Sequence, residues 1–329
     1  MPRKVLVTLS FSPDRISGFD DCLAMLTDKG FTVEVDPRYR TLGADELVPA
    51  LRGVYAHVAA AEVLSDEVMA QAPDLRIISR MGVGYDAIDV PAATARGIAL
   101  TITPGANADA VAEYTVSLML ALTRGVPAID AMARQGMWKT EFGNSIYGKT
   151  LGIIGAGDIG RRVVRNLAGF SMRVLAYDPL PDESYAQVSG VTYCPLERLL
   201  RESDYISIHC PLSDDTLHLL SDREFALMKP TARIVNCARG GILDEAALCR
   251  ALAEKRIAGA ALDVFEKEPF EADNPLFALD NTVLSPHIAG MTYECRKDVV
   301  SMAFQNIIDL SEGKKPPGLI NPGALEVKR

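Results

Sequence analysis

Short runs of β-branched and aliphatic residues recur along almost the whole chain, each followed by a longer stretch whose apolar positions fall three or four apart. That alternation predicts strand–helix–strand units closing on parallel sheets. In the first hundred residues it predicts strands at 5–9, 32–35, 54–57, 76–79 and 98–102, with helices at about 19–29, 44–51, 65–71 and 91–96. A turn at 103–107, whose Pro104-Gly105 pair reads as a hinge, then precedes a helix over about 109–123. Val111, Tyr114, Val116, Leu118, Met119, Leu120 and Leu122 place apolar side chains on nearly every face of that helix, so it is expected to be buried all round, in a core or against a second subunit. Six further strands are predicted at 150–154, 173–177, 205–208, 233–236, 259–262 and 282–284, enough for a nucleotide-binding sheet. A last helix over about 292–311 leads into a Pro/Gly-rich tail at 314–318.

Composition narrows the classes. At roughly 150 residues per domain, 329 residues suggest two domains. The 48% apolar fraction is too high for a disordered chain, and a net charge of −9 argues against general attraction to nucleic acid or anionic lipid, so no nucleic-acid or membrane partner is expected. The six cysteines are scattered, with no C-x-x-C pair and no histidine at metal spacing, which points to a reduced, cytoplasmic setting and no metal. The apolar run near the N-terminus spans five residues, too few for a secretory core. The apolar stretch at 110–122 carries Glu113 and falls short of a membrane span.

The sharpest local signal is Gly155-Ala156-Gly157-Asp158-Ile159-Gly160, a G-x-G-x-x-G loop between a predicted strand and a predicted helix. Gly155 permits the tight turn, Gly157 lets backbone approach a pyrophosphate and Gly160 lets the helix pack on the strand. The helix start then offers unpaired N–H groups to phosphate. Asp178 ends the next predicted strand, 18 positions beyond Gly160. A carboxylate there accepts from ribose hydroxyls and repels a 2′-phosphate, so NAD is expected over NADP. No basic residue lies between Pro179 and Glu183 to reverse that preference.

Three downstream segments, Asn236-Cys237-Ala238-Arg239-Gly240-Gly241, Asp263-Val264-Phe265-Glu266-Lys267-Glu268-Pro269 and Ser285-Pro286-His287-Ile288-Ala289-Gly290, follow the glycine loop in order. With Met81-Gly82-Val83-Gly84-Tyr85-Asp86 near the start, the chain resembles the D-isomer-specific 2-hydroxyacid dehydrogenase family over nearly its whole length. The resemblance implies a flavodoxin-like substrate domain, about 1–102 plus 291–329, and a Rossmann NAD-binding domain over 103–290, closing on each other about crossings near Pro104 and Gly290. It implies an NAD-dependent oxidoreductase acting on a small 2-hydroxy or 2-keto acid. Arg239 would grip carboxylate and keto oxygen with a planar fork. His287 would exchange the hydroxyl proton, and Glu268 would orient its ring and favour the protonated form.

The same resemblance implies cofactor contacts from Gly155, Gly157, Asp158, Ile159, Gly160, Asp178, His209, Pro211, Thr216, Cys237, Ala238, Asp263 and Gly290, with Asp263 reading the nicotinamide carboxamide. His209 taken alone also reads as a structural histidine, as does His218. Substrate contacts would come from Arg80, the Val83 and Gly84 amides, Arg239 and His287. A homodimer is implied through the long helix of the nucleotide-binding domain, with Trp138 and Lys139 reaching toward the partner.

The stretch Thr103–Glu113 is similar to phosphoglycerate dehydrogenases. The Arg-Ser-x-Thr run that those enzymes present after the third strand is here His57-Val58-Ala59-Ala60-Ala61, however, and no serine-sensing extension is expected after Arg329. The substrate stays open among 3-phosphoglycerate, hydroxypyruvate, glyoxylate and other small 2-keto acids. The alternatives are an NAD(H)-sensing corepressor-like protein without turnover and a formate- or phosphite-type dehydrogenase.

Overall fold

The computed structural model of the chain describes residues 3–327, and the expected domain ends at 1, 2, 328 and 329 lie outside the described residues. The chain folds as two units, each packed around its own sheet. One runs up to Asn107 and resumes at Met291, and the other is Ala108–Gly290. The first crossing thus comes five residues after the sequence-based boundary at 102, beyond the Pro104-Gly105 turn.

In the first unit β1 (Lys4–Val7), α1 (Phe19–Thr27), β2 (Thr32–Val35), α2 (Ala44–Ala50), β3 (Val54–Ala59), α3 (Asp66–Ala70), β4 (Ile77–Arg80), α4 (Val90–Ala95) and β5 (Ala99–Thr101) alternate as the periodicity predicts. The strands form one parallel sheet in the order β2-β1-β3-β4-β5. Val5, Leu6 and Val7 are fully buried, as a central strand covered on both faces requires. On one face Leu6, Ile78 and Leu100 pack with Leu47, Leu51, Val68 and Leu75.

The second unit opens with α5 (Ala108–Arg124) and α6 (Val126–Arg134), followed by β6 (Thr150–Ile154), α7 (Asp158–Asn166), β7 (Arg173–Tyr177), α8 (Glu183–Ser189), β8 (Thr192–Tyr193), α9 (Leu196–Glu202), β9 (Tyr205–Ile208), α10 (Asp222–Leu227), β10 (Arg233–Asn236), α11 (Glu245–Ala253), β11 (Gly259–Leu262) and β12 (Thr282–Leu284). The sheet is parallel, in the order β12-β11-β10-β9-β6-β7-β8. The strand order reverses direction at β6, which carries the glycine loop at its C-terminal end. That is the position at which open α/β sheets bind ligands.

Two elements differ from the sequence reading. The sheet has a seventh strand, β8, which is two residues long and so carries no period that could reveal it. Helix α5 is not buried on every side: Asp109, Glu113, Ser117 and Arg124 form an exposed stripe, while Val111, Thr115, Leu118 and Met119 face the core. The polar residues at 109, 113 and 117 recur four apart, a period that a list of apolar positions passes over, and the burial expected in a core is therefore one-sided in the single chain. Among the described residues no single helix is long and apolar enough to cross a membrane, although α5 and α6, bent by 63° at Gly125, have the length and composition for it when taken together.

After Gly290 the chain returns to the first unit through α12 (Tyr293–Ser311), which packs on β4 and α1. Ser79 on β4 donates to the Ala303 carbonyl at 2.8 Å. The tail then runs antiparallel beside β5, pairing Ile102 N–H with Gly318 O and Ile320 N–H with Leu100 O, both at 2.9 Å. Asn321, nearly buried, accepts from Leu100 N at 2.7 Å and donates to Ile98 O and Thr94 Oγ1 at 3.0 Å. Asn321→Ala strands two buried backbone groups, and chemical denaturation should show a loss of about 3 kcal/mol.

Candidate active site

Strands β10, β11 and β12 lie side by side at one edge of the second unit's sheet, and the loops leaving their C-terminal ends carry Arg239, Glu268 and His287. Glu268 Oε2 lies 2.6 Å from His287 Nδ1, and its other oxygen accepts from Phe265 N at 3.0 Å. The carboxylate is therefore held by its own loop while it orients the imidazole. Burial alone would raise its pKa. The hydrogen bond from His287 and the positive charges of His287 and Arg239 outweigh burial and hold the carboxyl below its ordinary value.

His287 stands on a strained turn, with φ +53°. Asp263, fully buried at the end of β11, holds that turn in place. Its Oδ1 accepts from Ser285 Oγ at 2.6 Å and Ile288 N at 2.9 Å, its Oδ2 accepts from Ala289 N at 2.8 Å, and its carbonyl takes His287 N–H at 2.7 Å. Burial pushes the Asp263 carboxyl up, against those donors. The residue expected to read a carboxamide already has three protein donors on its carboxylate.

Arg239 is placed by a second device. Asn236, fully buried at the end of β10, donates to Arg239 O at 2.8 Å and accepts from Ala238 N at 2.9 Å, and Arg239 Nη1 donates to Ala238 O at 2.7 Å. A Cβ on Gly240 would lie 1.9 Å from the Phe265 carbonyl carbon, so only glycine lets the arginine turn sit against the Glu268 loop. Sequence reasoning missed Asn236 and Ser285, whose only signal is a polar residue at the end of an apolar strand run.

At the nucleotide end Gly155 has φ +91°, and a Cβ there would meet Cys210 N at 2.6 Å. A Cβ on Gly160 would meet Gly155 O at 2.3 Å. Gly157 faces open space and caps α7 without a side-chain hydrogen bond, which leaves the first-turn amides of Asp158, Ile159 and Gly160 facing outward. Asp178, just past β7, accepts from Ala156 N and Leu180 N at 2.9 Å each. An uncapped helix start, room above Gly157 and a carboxylate at the neighbouring strand end fit a dinucleotide's pyrophosphate and ribose.

The other residues expected at the cofactor take less direct positions. His209 is half-buried against Ser207 Oγ at 2.8 Å, and desolvation of its ring drops its pKa to about 3, so it is neutral. The Thr216 hydroxyl closes the 211–216 loop by donating to Pro211 O and accepting from Ser213 N, both at 2.7 Å. Burial pushes the Cys237 thiol up to about 12, which keeps it protonated and unreactive at neutral pH. Gly290 is the last residue of the unit.

The remaining expected residues belong to the first unit. Arg80 folds back beneath its own loop, donating to the Met81 carbonyl, and a Cβ on Gly82 would lie 3.1 Å from its Nη1. Gly82 O accepts from Thr103 N at 3.0 Å. Among the described residues nothing accepts from the Val83 and Gly84 N–H groups. No group of three or more His, Cys, Asp or Glu side chains there is arranged to hold a metal ion.

Residues 116–289 match the family described as D-isomer specific 2-hydroxyacid dehydrogenase, NAD binding domain. That is more than half of the chain. The chain belongs to the D-isomer specific 2-hydroxyacid dehydrogenase family. A glyoxylate reductase of Korarchaeum cryptofilum is 42% identical over 87% of this chain and 91% of its own length, and one of Pyrococcus furiosus is 38% identical over 100% and 98%. Among solved structures, the apo D-lactate dehydrogenase of Escherichia coli matches with a TM-score of 0.84 at 30% identity, covering 96% of this chain and 99% of that one. An NADPH-dependent glyoxylate/hydroxypyruvate reductase from Sinorhizobium meliloti, in complex with NADP and malonate, matches at 0.85 and 28% identity over 100% and 99%. This dehydrogenase is accordingly an oxidoreductase acting on CH–OH donors.

The depressed Glu268 carboxyl has a consequence for acid stability. The stabilisation it supplies is complete above its unfolded value, about 4.3, and is lost as pH falls through the lower folded value. The urea midpoint of the wild-type protein should therefore drop more between about pH 5 and about pH 3 than that of Glu268→Gln.

Proposed function

We propose that this dehydrogenase transfers hydride reversibly between NAD(H) and a small unphosphorylated 2-keto or 2-hydroxy acid, glyoxylate or hydroxypyruvate. The observation that carries the reading is the 2.6 Å His287–Glu268 pair at the end of the sheet, one strand away from the Arg239 turn. Bound NAD(H) supplies the hydride donor or acceptor. Arg239 grips the substrate carboxylate and keto oxygen with its planar fork. With Nδ1 committed to Glu268, His287 exchanges the substrate proton at Nε2, giving it in reduction and taking it in oxidation. In the first unit the Val83 and Gly84 amides offer anion-binding donors.

Two findings favour an unphosphorylated substrate over 3-phosphoglycerate. The two curated relatives named above are glyoxylate reductases, and past β3 this chain presents Ala60, Ala61 and Glu62, the last a buried carboxyl, where a phosphate would call for a cation. Asp178 supports NAD over NADP. A cytoplasmic location agrees with six cysteines that are all free. A homodimer through the nucleotide-binding domain is supported by α6, which has no buried residue, and by the apolar Val126, Ile129, Met137, Trp138, Phe142 and Tyr147 exposed along 126–147.

The direct test is spectrophotometric. Steady NADH oxidation is expected with glyoxylate or hydroxypyruvate and little with 3-phosphohydroxypyruvate; a preference for the phosphorylated acid refutes the substrate assignment. His287→Gln should cut turnover by about 10²–10⁴-fold while NADH binding stays near normal. Unchanged turnover would remove His287 from the proton step. Sedimentation at micromolar concentration should give a dimer that Trp138→Ala with Phe142→Ala weakens, and a wild-type monomer refutes the assembly.

A further inference from the structure

The ribose end of the dinucleotide site contains a cation outside the stretch that follows Asp178 in the chain. Arg161, in the first turns of α7, donates from Nε to Ala156 O at 2.9 Å, while Ala156 N–H goes to Asp178 at 2.9 Å. A guanidinium and the ribose-binding carboxylate are thus fixed on the two polar groups of one residue. The far end of the guanidinium is occupied, because Nη2 donates to Asp182 Oδ2 at 2.8 Å and the plane lies over the Tyr185 ring, 4.4 Å from its centroid.

We propose that Arg161 is the cation on which acceptance of a 2′-phosphate at this site depends, and that Asp182, beside Asp178, holds it in the state that refuses one. The proposal rests on reading the Gly155–Gly160 loop as the NAD(H) site. Asp182 is not a chance surface partner. Its Oδ1 caps α8, accepting from Tyr185 N at 3.0 Å and Ser184 Oγ at 2.6 Å, so the carboxylate cannot swing away without uncapping the helix. Those donors, with Arg161, hold its carboxyl down at about 2, so the charge persists at any working pH. Asp178, Asp182 and Arg161 together leave one net negative charge beside the ribose. Two hydroxyls tolerate that field and a dianionic phosphate does not. Once the Asp182 charge is removed, the Nη2 end of a planar fork suited to phosphate is free, on side chains that are already about a third exposed.

Asp182→Asn removes the charge and keeps a side chain that caps helices well. Dissociation constants of NADH and NADPH, read by fluorescence without turnover, test the idea. The variant should bind NADPH roughly tenfold tighter, the scale of one charge-assisted hydrogen bond, with NADH affinity unchanged. Adding Arg161→Gln, which can still donate to Ala156 O, should abolish the gain. No gain in Asp182→Asn, or a gain that survives Arg161→Gln, overturns the proposal. Loss of NADH affinity in Arg161→Gln also overturns it, by making Arg161 part of the general dinucleotide site. Failure of the wild-type protein to bind NADH would instead sink the reading of the site itself.

Discussion

Asp263 is the carboxylate on which the turn that carries His287 depends. A fully buried acid with only its own charge would neutralise itself, and here burial does push it toward the neutral form. Donors from Ser285, Ile288 and Ala289 oppose that shift, and in doing so they bind β11 to the turn that follows β12. The positive φ of His287 is tolerated because the residues on either side of it are fixed. Glu268 then needs only to reach Nδ1 from the neighbouring loop. Precision at the imidazole thus comes from a network that the substrate need not touch.

The arginine is placed by shape more than by charge. Asn236 closes the turn from below, and the absence of a side chain at Gly240 lets that turn lie directly on the Phe265–Glu266 backbone. Because β10, β11 and β12 are adjacent and parallel, three loops far apart in sequence emerge at one edge of the sheet. The proposed chemistry calls for a binder, a proton carrier and an orienter at neighbouring points. A parallel sheet supplies such points at successive strand ends.

These features differ in how far they can be read from the chain. Six strands of the second unit are found at the residues predicted for them, because each is a short run dominated by apolar and β-branched residues and bounded by turns. Arg239, Glu268 and His287 were singled out by the order of their motifs, and they lie past the ends of three adjacent strands, whereas their supports gave no such signal. Asn236 and Ser285 are single polar residues whose partners lie across a turn or on another strand. Arg161 escaped because a basic residue is sought along the chain beyond Asp178, while the guanidinium arrives from the helix before it. The two-residue β8 was hidden because so short a segment carries no period, whereas the stripe on α5 was present in the chain as polar residues four apart that a list of apolar positions passes over.

Net charge says little about which anions this protein binds. A chain with a formal charge of −9 can hold a dinucleotide because the attraction is local and largely carried by backbone. The uncapped start of α7 presents amides, whose donors need no counter-charge and cannot be neutralised by a neighbouring carboxylate. A guanidinium can be neutralised in that way. Arg161 beside Asp182 is a cation whose field is cancelled almost at its source, and Asp178 leaves the balance negative. On the proposed reading the two kinds of donor divide the work: amides hold the pyrophosphate common to every dinucleotide, and side-chain charges discriminate at the ribose.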